Sequence, residues 1–119
     1  MGSLSFPKTE RLYRNKEIQE LFDKGSSFYL YPFRVFIQPI PGRKTHQTLF
    51  SVSKKNFKKA VDRNLIKRRM REAYRLNKAA LPSATGWQMA YIYTAKDILE
   101  FSKIQDKMVA AFKRITEHE

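Results

Sequence analysis

Residues 59–80 run "KAVDRNLIKRRMREAYRLNKAA". Neither proline nor glycine occurs from Leu49 to Leu81, and the segment is rich in side chains that lose little freedom in a helix. A helix from about Lys59 to about Ala80 is predicted, roughly 33 Å long at 1.5 Å per residue. On a helical wheel, Ile66, Met70, Ala73 and Asn77 share one face with Tyr74 at its margin, which is the face expected to pack on a sheet. Lys67, Arg71, Lys78, Asn64, Arg75 and Arg68 fall in a separate arc of about 100°, and Arg63 and Arg69 flank the apolar face on its two sides.

Strands stand on both sides of this helix. Upstream, "TLFSVSKK" alternates Leu49, Ser51 and Ser53 against Phe50 and Val52, and downstream "GWQMAYIYT" reads as a further strand. Period alone leaves open which face of that strand, with Trp87, Tyr91 and Tyr93, is buried. In "SFYLYPFRVFIQPI", Pro32 separates a short strand from one that sets Phe33, Val35 and Ile37 against Arg34, Phe36 and Gln38. "PIPGRKTHQ" has the chemistry of a turn. "NKEIQELFDKG" spaces Ile18, Leu21 and Phe22 as a short helix, with Asn15 as its cap and Gly25 at its end. Ser102 and Gln105 match a capping box, ahead of a last helix with Phe101, Ile104, Met108, Phe112 and Ile115 on one face. The order is α-β-β-β-α-β-α, an α+β class of four-stranded, mostly antiparallel sheet with three helices.

Length and composition suit one domain, residues 1–119, with residues 1–10 expected to be poorly ordered. A chain of this size buries roughly two-thirds of its unfolded surface, and 42% hydrophobic content with nine phenylalanines supplies a core. The absence of cysteine excludes disulfides and cysteine-ligated metal sites. The longest apolar run, Met89 to Tyr93, is far short of the ~20 residues of a membrane helix. Neither a signal core nor a myristoylation pattern opens the chain. A soluble, cytoplasmic protein without a membrane partner is expected.

The net charge of +13 is unevenly spread. Residues 54–78 carry eleven bases and two acids, whereas residues 79–119 carry five of each. Ordinary solvated helices mix signs, yet Lys67–Arg71 and Arg71–Arg75 are like-charged i,i+4 pairs. Guanidiniums repeated along a rigid helix suit phosphates, and Lys54, Lys55, Lys58 and Lys59 extend the field toward the helix N-terminus. Nucleic acid is the polyanion of the right shape; a membrane surface is disfavoured because the apolar face is committed to the sheet. A catalytic role for the chain itself finds no support. His46 lies in a turn and His118 in the terminal tail, Asp62 and Glu72 lie nearly three turns apart, and no phosphate-binding glycine loop or nucleophile elbow occurs. No catalytic or metal-ligating residue is assigned, and Glu72 is expected to neutralise neighbouring arginines.

"AVDRNLIKRRMREAYR" resembles the signature helix of the bacterial ribonuclease P protein subunit, whose members carry Arg-Asn-Arg, Lys-Arg and Arg-Glu at this spacing. "FPKTERLYRNKEIQELFDKG" is similar to that family's N-terminal segment and first helix, "FSVSKK" to its third strand, and "SKIQDKMVAAFKRI" to its last helix, so the resemblance covers residues 6 to 115 in order. Leu65 departs from it, standing where the third residue of the triplet is arginine. The resemblance implies a left-handed crossover between the third and fourth strands and a protein that assists a catalytic RNA. That RNA performs Mg²⁺-dependent removal of the 5′ leader from precursor tRNA, with no cofactor held tightly by the protein and no obligate protein partner. It implies RNA contacts at Arg63, Asn64, Lys67, Arg68, Arg71 and Arg75, with Lys54 and Lys55 beside them. A leader cleft would comprise Ile18, Phe22, Arg34, Phe36, Ser51 and Ser53, aromatic side chains in a positive groove being suited to single strands. The alternative from the residues alone is a general RNA-binding module, such as a ribosomal protein or RNA chaperone.

Overall fold

The strict alternation of residues 33–37 is realised with Phe33, Val35 and Ile37 fully buried and Arg34 exposed. The computed structural model describes residues 6–43, 45–81 and 85–117. Its elements are α1 (Asn15–Lys24), β1 (Ser26–Leu30), β2 (Phe33–Ile40), β3 (Gln47–Val52), α2 (Ala60–Asn77), β4 (Gly86–Tyr93) and α3 (Phe101–Glu117), in the expected order. The sheet order is β1-β2-β4-β3. β1/β2 and β2/β4 are antiparallel, while β3/β4 is parallel, so α2 is the crossover that returns the chain to insert β4 between β2 and β3.

One face of the sheet carries the main core. Ile66, Met70, Ala73 and Tyr74 of α2 and Ile104, Met108, Phe112 and Ile115 of α3 pack on Phe33, Val35, Phe50, Met89, Tyr91 and Tyr93. Tyr74, marginal on the wheel, is buried because Thr48 Oγ1 donates to its hydroxyl at 2.9 Å. The rings of Phe50, Tyr91 and Phe112 surround it at 5.5 to 6.3 Å. Asn77 completes the stripe by donating from Nδ2 to Ala73 O and to Gln105 Oε1 on α3.

The opposite face holds a smaller core of Leu12, Leu21 and Ala90, with Ile18, Phe36 and Leu49 against it. Here α1 lies on the sheet. Its end at Gly25 is fixed by crowding: the residue has an extended conformation, and a Cβ would stand 2.5 Å from Leu21 O and 2.9 Å from Ile37 O. Helices on both faces explain β4, where every residue except Ile92 is buried and polar–apolar alternation vanishes. Trp87, Met89, Tyr91 and Tyr93 belong to the α2/α3 core and Ala90 to the α1 core.

Several local expectations give way to this packing. Asn15 is the first helical residue, not the cap; Arg14 holds the cap position without a side-chain hydrogen bond. Helix α3 starts at Phe101, so Ser102 is already inside it, and Gln105 turns to Asn77 instead of closing a capping box. Strand β2 runs through Pro39 to Ile40, shortening the predicted turn. The long helix ends at Asn77, and Lys78–Ala80 tighten into a 3-10 turn.

Candidate nucleic-acid interface

Strand register arranges the α1 side of the sheet into three rows. Gln38, Gln88 and Gln47 make the first, Ser27, Phe36, Ala90 and Leu49 the second, and Tyr29, Arg34, Ile92 and Ser51 the third. Four strands at ~4.8 Å spacing make each four-residue row about 14 Å wide. Helix α1 sits on the middle row, and the third row stays open: Tyr29 and Arg34 are exposed, Ile92 and Ser51 half-buried. On its border, the rings of Phe22 and Phe36 meet edge to face at 4.8 Å, and Arg34 Cζ lies 5.5 Å from the Phe36 centroid. A groove of about 490 Å³ on α1 is lined by Asn15, Ile18, Gln19, Phe22 and Asp23. Phe22, Arg34 and Phe36 therefore come together, with Ser51 on the same open row. Ile18 is divided between groove wall and the small core. Ser53 Oγ accepts from the Lys55 N–H at 3.1 Å, and that turn presents Lys54 and Lys55 to solvent.

The cations of α2 fall into two groups. Arg63 Nη1 donates to Phe57 O at 2.8 Å and Lys58 O at 2.9 Å, tying the lysine-rich loop to the helix, and Arg69 Nη1 donates to Leu99 O at 2.6 Å. Arg75 is ion-paired with Glu72, and Lys78 Nζ with Glu10 at 2.8 Å. Lys67, Arg68 and Arg71 have no carboxylate partner among the described residues, and Asn64 is exposed beside them. Leu65, at the position of the family's arginine, is half-buried.

Sequence reasoning missed the N-terminal contribution. Phe6 packs on Phe50 and Tyr74 at 5.8 and 5.5 Å, and Arg11 donates from Nε and Nη2 to Phe6 O at 3.2 and 3.1 Å. Leu12 N–H donates to Thr48 O at 3.0 Å beside an Arg11–Thr48 bridge. The segment thereby brings Arg11 against Arg68, Arg71 and Arg75 around a pocket of about 280 Å³. The only signal was three cations, Lys8, Arg11 and Arg14, within seven residues.

His46 Nδ1 accepts from the Trp87 N–H at 3.0 Å, a structural task, and His118 lies outside the described residues. Among the described residues no three His, Asp or Glu side chains converge as metal ligands, and no helix is long and apolar enough to cross a membrane.

The model of the family Ribonuclease P matches residues 6–116. The chain is 40% identical to the ribonuclease P protein component of Citrifermentans bemidjiense, covering 97% of this chain and 96% of that one. It is 35% identical to the same component from Porphyromonas gingivalis, over 96% and 88% of the two chains. The ribonuclease P protein of Thermotoga maritima superimposes with a TM-score of 0.78 at 28% identity, over 89% of this chain and 97% of that one. A general RNA-binding module is thereby set aside: the chain belongs to the ribonuclease P protein family, the protein component of an RNA-containing, tRNA-processing endoribonuclease.

Proposed function

We propose that α2 and the Lys54–Lys55 turn hold the catalytic RNA, while the open sheet row beside Phe22 and Phe36 takes the single-stranded 5′ leader of precursor tRNA. The observation that carries this reading is the adjacency of an aromatic pair, exposed Phe22 and half-buried Phe36 with Arg34 at its edge, to an open four-strand row. Each base stacked on such a platform contributes ~1–3 kcal/mol with little sequence preference, which suits a leader of variable sequence. Arg34 supplies charge to the leader's phosphates and Ser51 a hydroxyl on the same row; Lys54, with Ser53 in its turn, extends the site toward α2. Lys67, Arg68 and Arg71 meet phosphates of the RNA subunit, with Asn64 among them, and Arg63 holds the loop that aims the lysines.

The chain's own work is binding and orientation: it keeps substrate leader and catalytic RNA on two faces of one rigid body. Mg²⁺ acts through the RNA in this reading. The site of action is the cytoplasm, with RNA and no second protein chain as the obligate partner. The test compares precursor and mature tRNA binding by the reconstituted holoenzyme. Precursor binds tighter, truncating the leader removes the difference, and Phe36→Ala reduces it by about 5- to 150-fold. Equal affinity for precursor and mature tRNA in the wild type overturns the reading.

A further inference from the structure

The ring of Tyr13 is 51% exposed although its neighbours are anchored. Leu12 is buried and bonded to Thr48 O, and α1 begins three residues later, at Asn15. Alternation at this anchored segment directs Leu12 inward and holds Tyr13 out, so the ring is presented at little conformational cost. Lys8 Nζ lies 5.4 Å and Arg14 Cζ 5.9 Å from its centroid. Across from it, Arg43 Nη1 donates to Gln47 Oε1 at 3.1 Å. Lys8, Tyr13, Arg14, Arg43, Thr45 and Gln47 line a groove of about 540 Å³, with Glu17 as the acid in its wall. An aromatic face, cations around it, and amide and hydroxyl groups at the side are the chemistry that binds an unpaired nucleotide.

The groove is separate from the leader cleft. Gln47 belongs to the first sheet row and Arg34 and Ser51 to the third, and α1 occupies the row between. It is continuous instead with α2. Tyr13 also lines a pocket of about 200 Å³ with Arg11, Lys67 and Arg71. Arg11 and Arg71 in turn line the pocket that contains Arg68 and Arg75. One basic path thus leads from the α2 stripe over the N-terminal segment to Tyr13.

We infer that this groove takes one unpaired nucleotide of the RNA subunit, its base on the Tyr13 ring and its flanking phosphates on Lys8, Arg14 and Arg43. The inference rests on the reading of α2 as the face that holds that RNA. The experiment is a titration of the RNA subunit with the wild type and with Tyr13→Leu, Tyr13→Phe and Arg71→Ala, each over a salt series. Tyr13→Leu lowers affinity about 5- to 150-fold and leaves the salt slope unchanged, Tyr13→Phe restores it, and chemical probing shows one unpaired nucleotide exposed in the Tyr13→Leu complex. A second variant, Lys8→Ala with Arg43→Ala, keeps the ring and flattens the slope by about 1.4 to 1.8 units.

Unchanged affinity for Tyr13→Leu, or equal loss for Tyr13→Leu and Tyr13→Phe, overturns the inference. So does a loss confined to precursor over mature tRNA with RNA-subunit affinity intact, which would transfer the groove to the leader. Arg71→Ala separates the two failures: if it too leaves RNA-subunit binding unchanged, the reading of α2 falls and the Tyr13 groove falls with it.

Discussion

Arg71 and Arg75 lie one turn apart on the same arc of α2, yet the structure gives them different histories before RNA arrives. Arg75 is ion-paired with Glu72, whereas Arg71 is exposed and forms no ion pair with a carboxylate among the described residues. Counting Lys54, Lys55, Lys67, Arg68 and Arg71 as the phosphate ligands of α2 and its loop, and leaving aside the cations of the Tyr13 groove, log K against log salt has a slope of about −3.5 for single strands to −4.5 for duplex. At a slope of about −4, raising salt from about 50 to 200 mM weakens binding about 250-fold. Arg71→Ala brings the slope to about −3.2 and that loss to about 80-fold. Arg75→Ala flattens the slope by less than half as much, because a phosphate must compete with Glu72 for its guanidinium and the net charge of the pair is zero. Partly exposed pairs of this kind contribute only ~0–1 kcal/mol to folding, so neither variant unfolds the chain. Fluorescence anisotropy of labelled RNA subunit at four salt concentrations reads the slopes, and thermal melts confirm that both variants fold. Equal flattening by the two substitutions, or a wild-type slope near zero, refutes the reasoning.

The Thr48–Tyr74 hydroxyl pair is buried, so Thr48→Val orphans the Tyr74 hydroxyl and costs about 1–3 kcal/mol in urea unfolding, while the double variant with Tyr74→Phe recovers part of it; additive losses would contradict the pair. Burial raises the tyrosine pKa of Tyr74, Tyr91 and Tyr93 above the usual value of 10.0. The unfolded chain therefore releases these protons first, and the stability they contribute is complete below about pH 10 and lost above it, at roughly 1.4 kcal/mol per pH unit for each of Tyr74 and Tyr91. Melting temperature is flat from about pH 7 to 9 and falls beyond about pH 10, less steeply in Tyr91→Phe; a melting temperature constant to about pH 11.5 would contradict it. Ala90 is buried beneath α1, so Ala90→Leu costs about 1–3 kcal/mol by overpacking and lowers the preference for precursor tRNA without altering a groove side chain; an unchanged melting temperature and preference would mean that α1 is not seated on Ala90.

The long helix and β2 were legible because each buries one face, which leaves a period in the sequence: Ile66, Met70 and Ala73 recur at helical spacing and Phe33, Val35 and Ile37 at strand spacing. β4 was not legible in this way. Being central and covered by helices on both sides, it buries Gln88 and Ala90 as well as Trp87 and Met89, and nothing alternates. The caps failed for a different reason. Asn15 and Ser102 are good local caps, but α1 and α3 start where their packing on the sheet requires, one and two residues before the expected positions. In the candidate site, the cleft side chains and the basic arc could be picked out by type and face. The Arg63 bonds to Phe57 and Lys58, and the passage of Arg11 and Tyr13 along α2, depend on contacts between segments distant in sequence or on loop conformation, which have no period to read.

Angular position on α2 sorts its cations by task. Arg63 and Arg69 stand beside the apolar face, where the loops that close the core bring carbonyls of Phe57, Lys58 and Leu99 within reach, and both are used as internal ties. Lys67, Arg68 and Arg71 stand further round, where the passing N-terminal segment brings the cation Arg11 and no acid, and the acids near the stripe, Glu72 and Glu10, pair only with its C-terminal end at Arg75 and Lys78. The cost of this imbalance to the free chain is small: three like pairs at i,i+4, Arg63–Lys67, Lys67–Arg71 and Arg71–Arg75, subtract a few tenths of a kcal/mol each, about 1 kcal/mol together, against a typical stability of ~5–15 kcal/mol. A folded domain with a mixed, well-filled core can therefore keep its unpaired cations in place before any RNA is bound. On the proposed reading of α2, RNA meets a row of charges already held at helical spacing, so the ordering cost that a flexible basic tail would meet at binding has been met on folding.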